Sequence, residues 1–167
     1  MRMGDRARAL CVSVIAATLM ACGGSSETPQ PQASGGGGAT PPPPPPAEAR
    51  DAWAEDSFEL RSSAAGPYTA GQAGTFEVRL TPRGNYHVNQ DYPMTITLTG
   101  PDGVTFPSAT VERAAATAYT EQLATFAVPF TAPAGQHDVR AVVDFAVCTP
   151  EACMPDTRTL AVHLAVQ

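Results

Sequence analysis

Apolar residues recur at every second position through most of the C-terminal two-thirds of this chain, and that period admits β-strands and little else. Phe76-Glu77-Val78-Arg79-Leu80 alternates apolar with polar, and Met94-Thr95-Ile96-Thr97-Leu98 does the same with threonine on the outer face. Val139, Ala141, Val143, Phe145 and Val147 share one face of a long run whose other face carries Arg140 and Asp144. Leu123–Phe130 and Thr159–Val166 add two further runs. Alternation on this scale marks a strand with one face buried. Turn-forming residues separate the runs at Ala73-Gly74, Pro82-Arg83-Gly84-Asn85, Gly100-Pro101-Asp102-Gly103 and Ala132-Pro133-Ala134-Gly135. One stretch, the alanine-rich Val111–Ala118, reads as a short helix. Trp53 reads as a packing residue at the start of the domain or at an edge.

Seven to nine short strands in about 115 residues predict an all-β fold, an immunoglobulin-like antiparallel β-sandwich with a single core. The expected domain runs from 53 to 167, after a linker at 22–52 and a signal segment at 1–21. The linker contains no large apolar residue between Gly23 and Arg50 and so cannot build a core. Its Gly- and Ser-rich parts predict disordered coil, and Pro41–Pro46 a stiff spacer rising ~3.1 Å per residue. The start of the chain has the anatomy of an export signal: Arg2, Arg6 and Arg8, then an apolar run from Ala9 to Ala21. That run is too short to cross a bilayer, which takes roughly 20 residues. Leu19-Met20-Ala21-Cys22-Gly23 resembles the bacterial lipoprotein processing box. The resemblance implies that Cys22 becomes the lipidated N-terminus and that its acyl chains anchor the protein. The expected location is the cell envelope, facing the periplasm, with Gly23 after the cysteine favouring the outer membrane.

Residues 51–167 carry six arginines, no lysine and thirteen acidic side chains, a formal charge of about −7. A domain this acidic repels nucleic acid and anionic lipid surfaces, so no nucleic-acid partner is expected. Nor do the residues offer a serine–histidine–acid set, and the Gly35–Gly38 run lies in the linker rather than in a phosphate-binding turn.

Cysteine chemistry is what remains. With Cys11 in the signal and Cys22 at its cleavage point, Cys148 and Cys153 are the pair left in the mature protein. They bracket Thr149-Pro150-Glu151-Ala152 between two strand-like runs, which predicts a hairpin loop with the cysteines facing each other at a Cα separation of about 4.5–5.5 Å. A disulfide accepts that spacing, and an exported compartment permits the bond. A bond closing so short a loop stabilises by only ~2 kcal/mol in the chain-entropy picture, which favours a functional bond over a staple. Glu151, Asp144 and Asp156 outnumber Arg158 nearby, so local charge does not acidify either thiol. This suits a shuttle that hands its dithiol to a partner's disulfide.

The stretch from Phe126 to Leu164, FAVPFTAPAGQHDVRAVVDFAVCTPEACMPDTRTLAVHL, resembles the C-terminal half of the N-terminal periplasmic domain of DsbD, the thiol:disulfide interchange protein. Upstream, Gly84-Asn85-Tyr86-His87-Val88-Asn89 and Gly103-Val104-Thr105-Phe106-Pro107 are similar to the strand and the turn that precede it. The resemblance implies an immunoglobulin-like sandwich with Cys148 and Cys153 as the redox pair, and Cys153 as the sulfur that enters the mixed disulfide. It implies partners that are thioredoxin-like periplasmic proteins or a membrane-embedded thiol reductant, and no cofactor. The chain departs from the family in a loop one residue shorter, in a single proline, Pro155, after the second cysteine, and in the segment that supplies an aromatic cap. That segment reads Glu112-Arg113-Ala114-Ala115-Ala116-Thr117-Ala118-Tyr119, with one aromatic.

Two other readings fit the same residues. One is a non-catalytic lipoprotein module, for binding or structure, whose hairpin disulfide is inert. The other is a Cu(I) module using the soft ligands Cys148, Cys153 and Met154. His87, His137 and His163 show no ligand spacing, and no metal site is expected from them.

Overall fold

The computed structural model describes residues 48–167. The signal segment, Cys22 and the proline run lie outside the described residues. In chain order the strands are β1 (Ala49–Arg50), β2 (Ala52–Ala54), β3 (Phe58–Ala64), β4 (Ala73–Pro82), β5 (His87–Val88), β6 (Thr95–Thr99), β7 (Thr110–Glu112), β8 (Ala116–Thr120), β9 (Leu123–Thr131), β10 (Gly135–Cys148) and β11 (Cys153–Val166). They form two sheets. One has the order β1-β11-β10-β6-β7, with β5 also on β10, and the other has the order β2-β3-β4-β9-β8. Every strand pair is antiparallel except β1 with β11. The fold is the expected all-β, immunoglobulin-like sandwich.

Alternation decides which side chains fill the space between the sheets. Phe76, Val78 and Leu80 of β4 and Phe126, Val128 and Phe130 of β9 come from one sheet. Val139, Ala141, Val143, Phe145 and Val147 of β10 and Leu160, Val162 and Leu164 of β11 come from the other, and all are buried. Phe58 and Phe145 meet edge-to-face across the layers, with centroids 4.8 Å apart. Trp53 sits at the edge, half-buried against the core, and its indole N–H donates to the Thr159 carbonyl of the opposite sheet at 2.9 Å. The guanidinium groups of Arg50 and Arg158 lie 4.4 and 4.8 Å from its ring.

The structure differs from the sequence expectations in several places. Eleven strands stand among the described residues rather than seven to nine, and pairing begins within the expected linker, where Ala49–Arg50 lie along β11 and Ala52 opposite Arg61. Val111–Ala118 is not a helix. It leaves one sheet as β7, makes a three-residue 3-10 turn at Arg113–Ala115 and enters the other sheet as β8. Pairing with β6 on one side and β9 on the other outweighs the modest helix preference of its alanines. Ala73-Gly74 is not a turn but the start of β4. A Cβ on Gly74 would lie 2.8 Å from both Phe130 Cζ and Tyr68 Cδ1, so glycine is needed there for close packing rather than for bending.

Removing the ring that bridges the layers leaves a cavity the sheets cannot close. Phe145→Ala is expected to lower the unfolding free energy by about 3–5 kcal/mol, read from urea denaturation with the disulfide intact.

Candidate functional site

The two longest strands, β10 and β11, pair without a register shift from Gly135↔Val166 to Cys148↔Cys153. Beyond the last pair the chain reverses through Thr149–Ala152. The Thr149 N–H donates to the Ala152 carbonyl at 2.8 Å, while the Thr149 hydroxyl accepts from the N–H groups of Glu151 and Ala152 at 3.3 and 3.2 Å. A threonine that caps its own turn in this way, followed by Pro150, makes the tight reversal. Because Thr149 and Ala152 are hydrogen-bonded partners, alternation makes Cys148 and Cys153 a non-hydrogen-bonded pair, the closer of the two kinds. Their Cα atoms are 4.0 Å apart and their sulfurs are joined. The expected hairpin and disulfide are both present.

The two sulfurs differ in access. Cys148 is 2 % exposed, whereas Cys153 is an exposed residue. Burial of Cys148 follows from its neighbour on the other side. β5 pairs with the end of β10, placing His87 opposite Cys148 and Val88 opposite Val147. The Asn89 N–H continues this ladder to the Ala146 carbonyl at 3.0 Å. β6 pairs with β10 further down, from Asp144↔Thr95 to Arg140↔Thr99. Between β5 and β6 the register along β10 jumps by four residues, so Gln90-Asp91-Tyr92-Pro93 is extruded beside the disulfide.

Asn89 stands at the base of that excursion and reaches both sulfurs. Its Nδ2 donates to Cys148 Sγ at 3.2 Å and to Cys153 Sγ at 3.3 Å. Its Oδ1 accepts from the N–H groups of Asp91 and Tyr92 at 2.7 and 3.0 Å, an Asx turn that fixes which end of the amide faces the sulfurs. Its carbonyl accepts from the Tyr119 hydroxyl at 3.1 Å. Arg113 donates to the Gln90 carbonyl and stacks 4.7 Å from the Tyr119 ring centroid. Burial pushes the Tyr119 phenol above its ordinary value, and the Arg113 charge pulls it partly back. Tyr119, the one aromatic of the expected cap segment, therefore braces the asparagine whose amide donates to the disulfide.

The other residues singled out in the sequence fall elsewhere. Arg158 is held by Asp156 at 2.9 Å and Glu55 at 3.8 Å. The Asp144 carboxylate accepts from the Thr157 hydroxyl. Glu151 is exposed in the turn. Met154 follows Cys153 and is 40 % exposed, the exposed large apolar residue among those described. His137 is hydrogen-bonded to the Pro133 carbonyl at 2.8 Å, and His163 pairs with Asp138 at 2.6 Å, so only His87 lies beside the cysteines. Among the described residues no group of three or more His, Cys, Asp or Glu is arranged to hold a metal ion. Sequence reasoning missed Asn89 as a site residue. Asn-x-Asp-Tyr signals an Asx turn, but nothing in it points to sulfur.

No family model and no curated protein matches the chain. Among solved structures it is similar to BslA, described as a bacterial hydrophobin, at 14% identity and a TM-score of 0.32, over 66% of this chain and 95% of that one. It is also similar to AggA, the major subunit of aggregative adherence fimbriae type I from Escherichia coli, at 11% identity and a TM-score of 0.30, over 72% of this chain and 99% of that one. Likenesses at this level carry no information about function. What the fold and site define is a β-sandwich module bearing one hairpin disulfide.

The long β10–β11 ladder and its self-capped turn hold the hairpin independently of the bond. Reduction is expected to cost no more than about 2 kcal/mol of stability and to leave the domain folded, checked by urea denaturation with and without reductant. Arg113→Ala removes the cation that draws the Tyr119 phenol down, so its titration is expected to move further up, read by ultraviolet absorbance of the phenolate.

Proposed function

We propose that this chain is a membrane-tethered thiol-disulfide exchange module of the cell envelope, using Cys148 and Cys153 as its redox pair. The observation that carries the reading is the unequal access to the two sulfurs: Cys153 exposed, Cys148 2 % exposed. An incoming thiolate meets Cys153 Sγ and forms the mixed disulfide there. The Cys148–Cys153 bond breaks, and its electron pair leaves on Cys148 Sγ. The partner's second thiol then gives up its proton and attacks the partner sulfur of the mixed disulfide. This releases Cys153 and leaves a dithiol in this domain and a disulfide in the partner. Run backwards, the same steps deliver reducing equivalents. The resemblance to the N-terminal domain of DsbD supports this reading. It implies thioredoxin-like periplasmic proteins on one side of the exchange and a membrane-embedded thiol reductant on the other. In this reading lipidated Cys22 anchors the module to a membrane facing the periplasm, with the residues up to the sandwich as tether.

Two measurements test it, both in a chain whose Cys11 and Cys22 are replaced by serine. Titration against glutathione redox buffers is expected to open the disulfide at a potential above about −300 mV, and a lower value marks an inert structural bond. Cys148→Ser is expected to leave a thiol at 153 that reacts readily with an aromatic disulfide reagent, while Cys153→Ser leaves one at 148 that reacts at least tenfold more slowly. Equal rates overturn the assignment of Cys153 as the entry sulfur.

A further inference from the structure

Asn89 commits every polar group it has. Its N–H pairs with Ala146, its carbonyl takes the Tyr119 hydroxyl, and its Oδ1 takes two turn N–H groups. What remains is Nδ2, one N–H of which is shared between the two bonded sulfurs. A disulfide sulfur is a weak acceptor and gains little from such a donor. A thiolate gains much more, because hydrogen bonds to charged groups are roughly twice as strong as neutral ones. The donor is therefore matched to the reduced and reacting forms of the pair rather than to the oxidised one.

We infer that Asn89 is the group that stabilises the thiolates of the exchange step, a role that rests on the exchange reading above. When a partner thiolate attacks Cys153 Sγ, the electron pair of the broken bond arrives on Cys148 Sγ, 3.2 Å from an amide already locked in place. No donor has to reorient as the charge appears, which is how preorganised dipoles lower a barrier. In the second half of the exchange Cys153 Sγ, which lies 3.3 Å from the same amide in the disulfide form, leaves as a thiolate. Each sulfur then takes up a proton, the two protons coming from the partner's two thiols. In the reverse direction the same donor holds Cys148 as the thiolate that closes the ring. The amide supplies what the acidic surroundings withhold. Glu151 and Asp91 lie on the flanking loops, His87 stands opposite Cys148, and Arg113 is engaged with Gln90 and the Tyr119 ring.

Asn89→Asp separates this role from that of a turn residue. It keeps the oxygen that accepts from Asp91 and Tyr92 but replaces the donor with a second, negatively charged oxygen. Asn89→Ser also keeps a turn acceptor, and its side chain is too short to reach the sulfurs. Both are made in the whole chain with Cys11 and Cys22 replaced by serine. Opening of the disulfide by dithiothreitol at fixed pH is expected to slow on the order of tenfold in each. In the added Cys153→Ser background, the Cys148 thiolate titration, followed by ultraviolet absorbance, is expected to move up by about one pH unit. His87, Tyr119, Arg113, Asp91 and Glu151 are the same in every chain compared; Asn89→Asp adds a charge as well as removing the donor, so Asn89→Ser isolates the amide. The inference is overturned if N89S melts as the unsubstituted chain does yet opens and titrates like it, or if a folded N89D does so. Resistance of the unsubstituted disulfide to physiological glutathione buffers sinks the exchange reading instead, and this role with it.

Discussion

The unshifted pairing of β10 with β11 is the interaction on which the rest of this structure depends. These two strands supply the inward faces of one sheet, and β5 and β6 dock along the free edge of β10. β1 docks along β11. Slipping this ladder by one residue would turn Val143, Phe145 and Val147 outward and bring Asp144 into the core, a reversal that burial forbids. The same register sets Cys148 against Cys153. The disulfide is thus a product of the core rather than a cause of it.

Three layers of placement then shape the sulfur chemistry. The hairpin turn brings the cysteines together, the β5 pairing buries one of them, and the extruded Gln90–Pro93 segment places an amide over both. Each layer uses backbone pairing to position a side chain, so the site has the rigidity of the sheet although it lies at its end. In the exchange reading proposed above, the acidic composition of the domain leaves thiolate stabilisation to a neutral donor, the locked Asn89, rather than to a cation.

The sandwich was legible in the sequence because alternation reports burial directly, as the runs at Phe76–Leu80 and Val139–Val147 show. The hairpin disulfide was legible because a short turn-forming loop lay between two such runs. Val111–Ala118 misled because its strands pair at the edges of two different sheets, where few side chains are buried and alternation is faint. Gly74 misled because a glycine needed for the approach of two aromatic rings looks, in one dimension, like a glycine needed for a bend. Asn89 was out of reach for a related reason. Its contact with the sulfurs depends on where the register along β10 breaks, and β5 is only two residues long.

The placement of Trp53 has a spectroscopic consequence. It is the chain's single tryptophan, and its indole is in contact with two guanidinium groups and bonded to the carbonyl of Thr159, six positions along β11 from Cys153. At the rise of a strand that is about 20 Å, beyond contact quenching by the sulfurs. Intrinsic fluorescence in this protein therefore follows the integrity of the sandwich edge and is blind to the bond at its tip, so one optical signal compares the oxidised and reduced forms on equal terms.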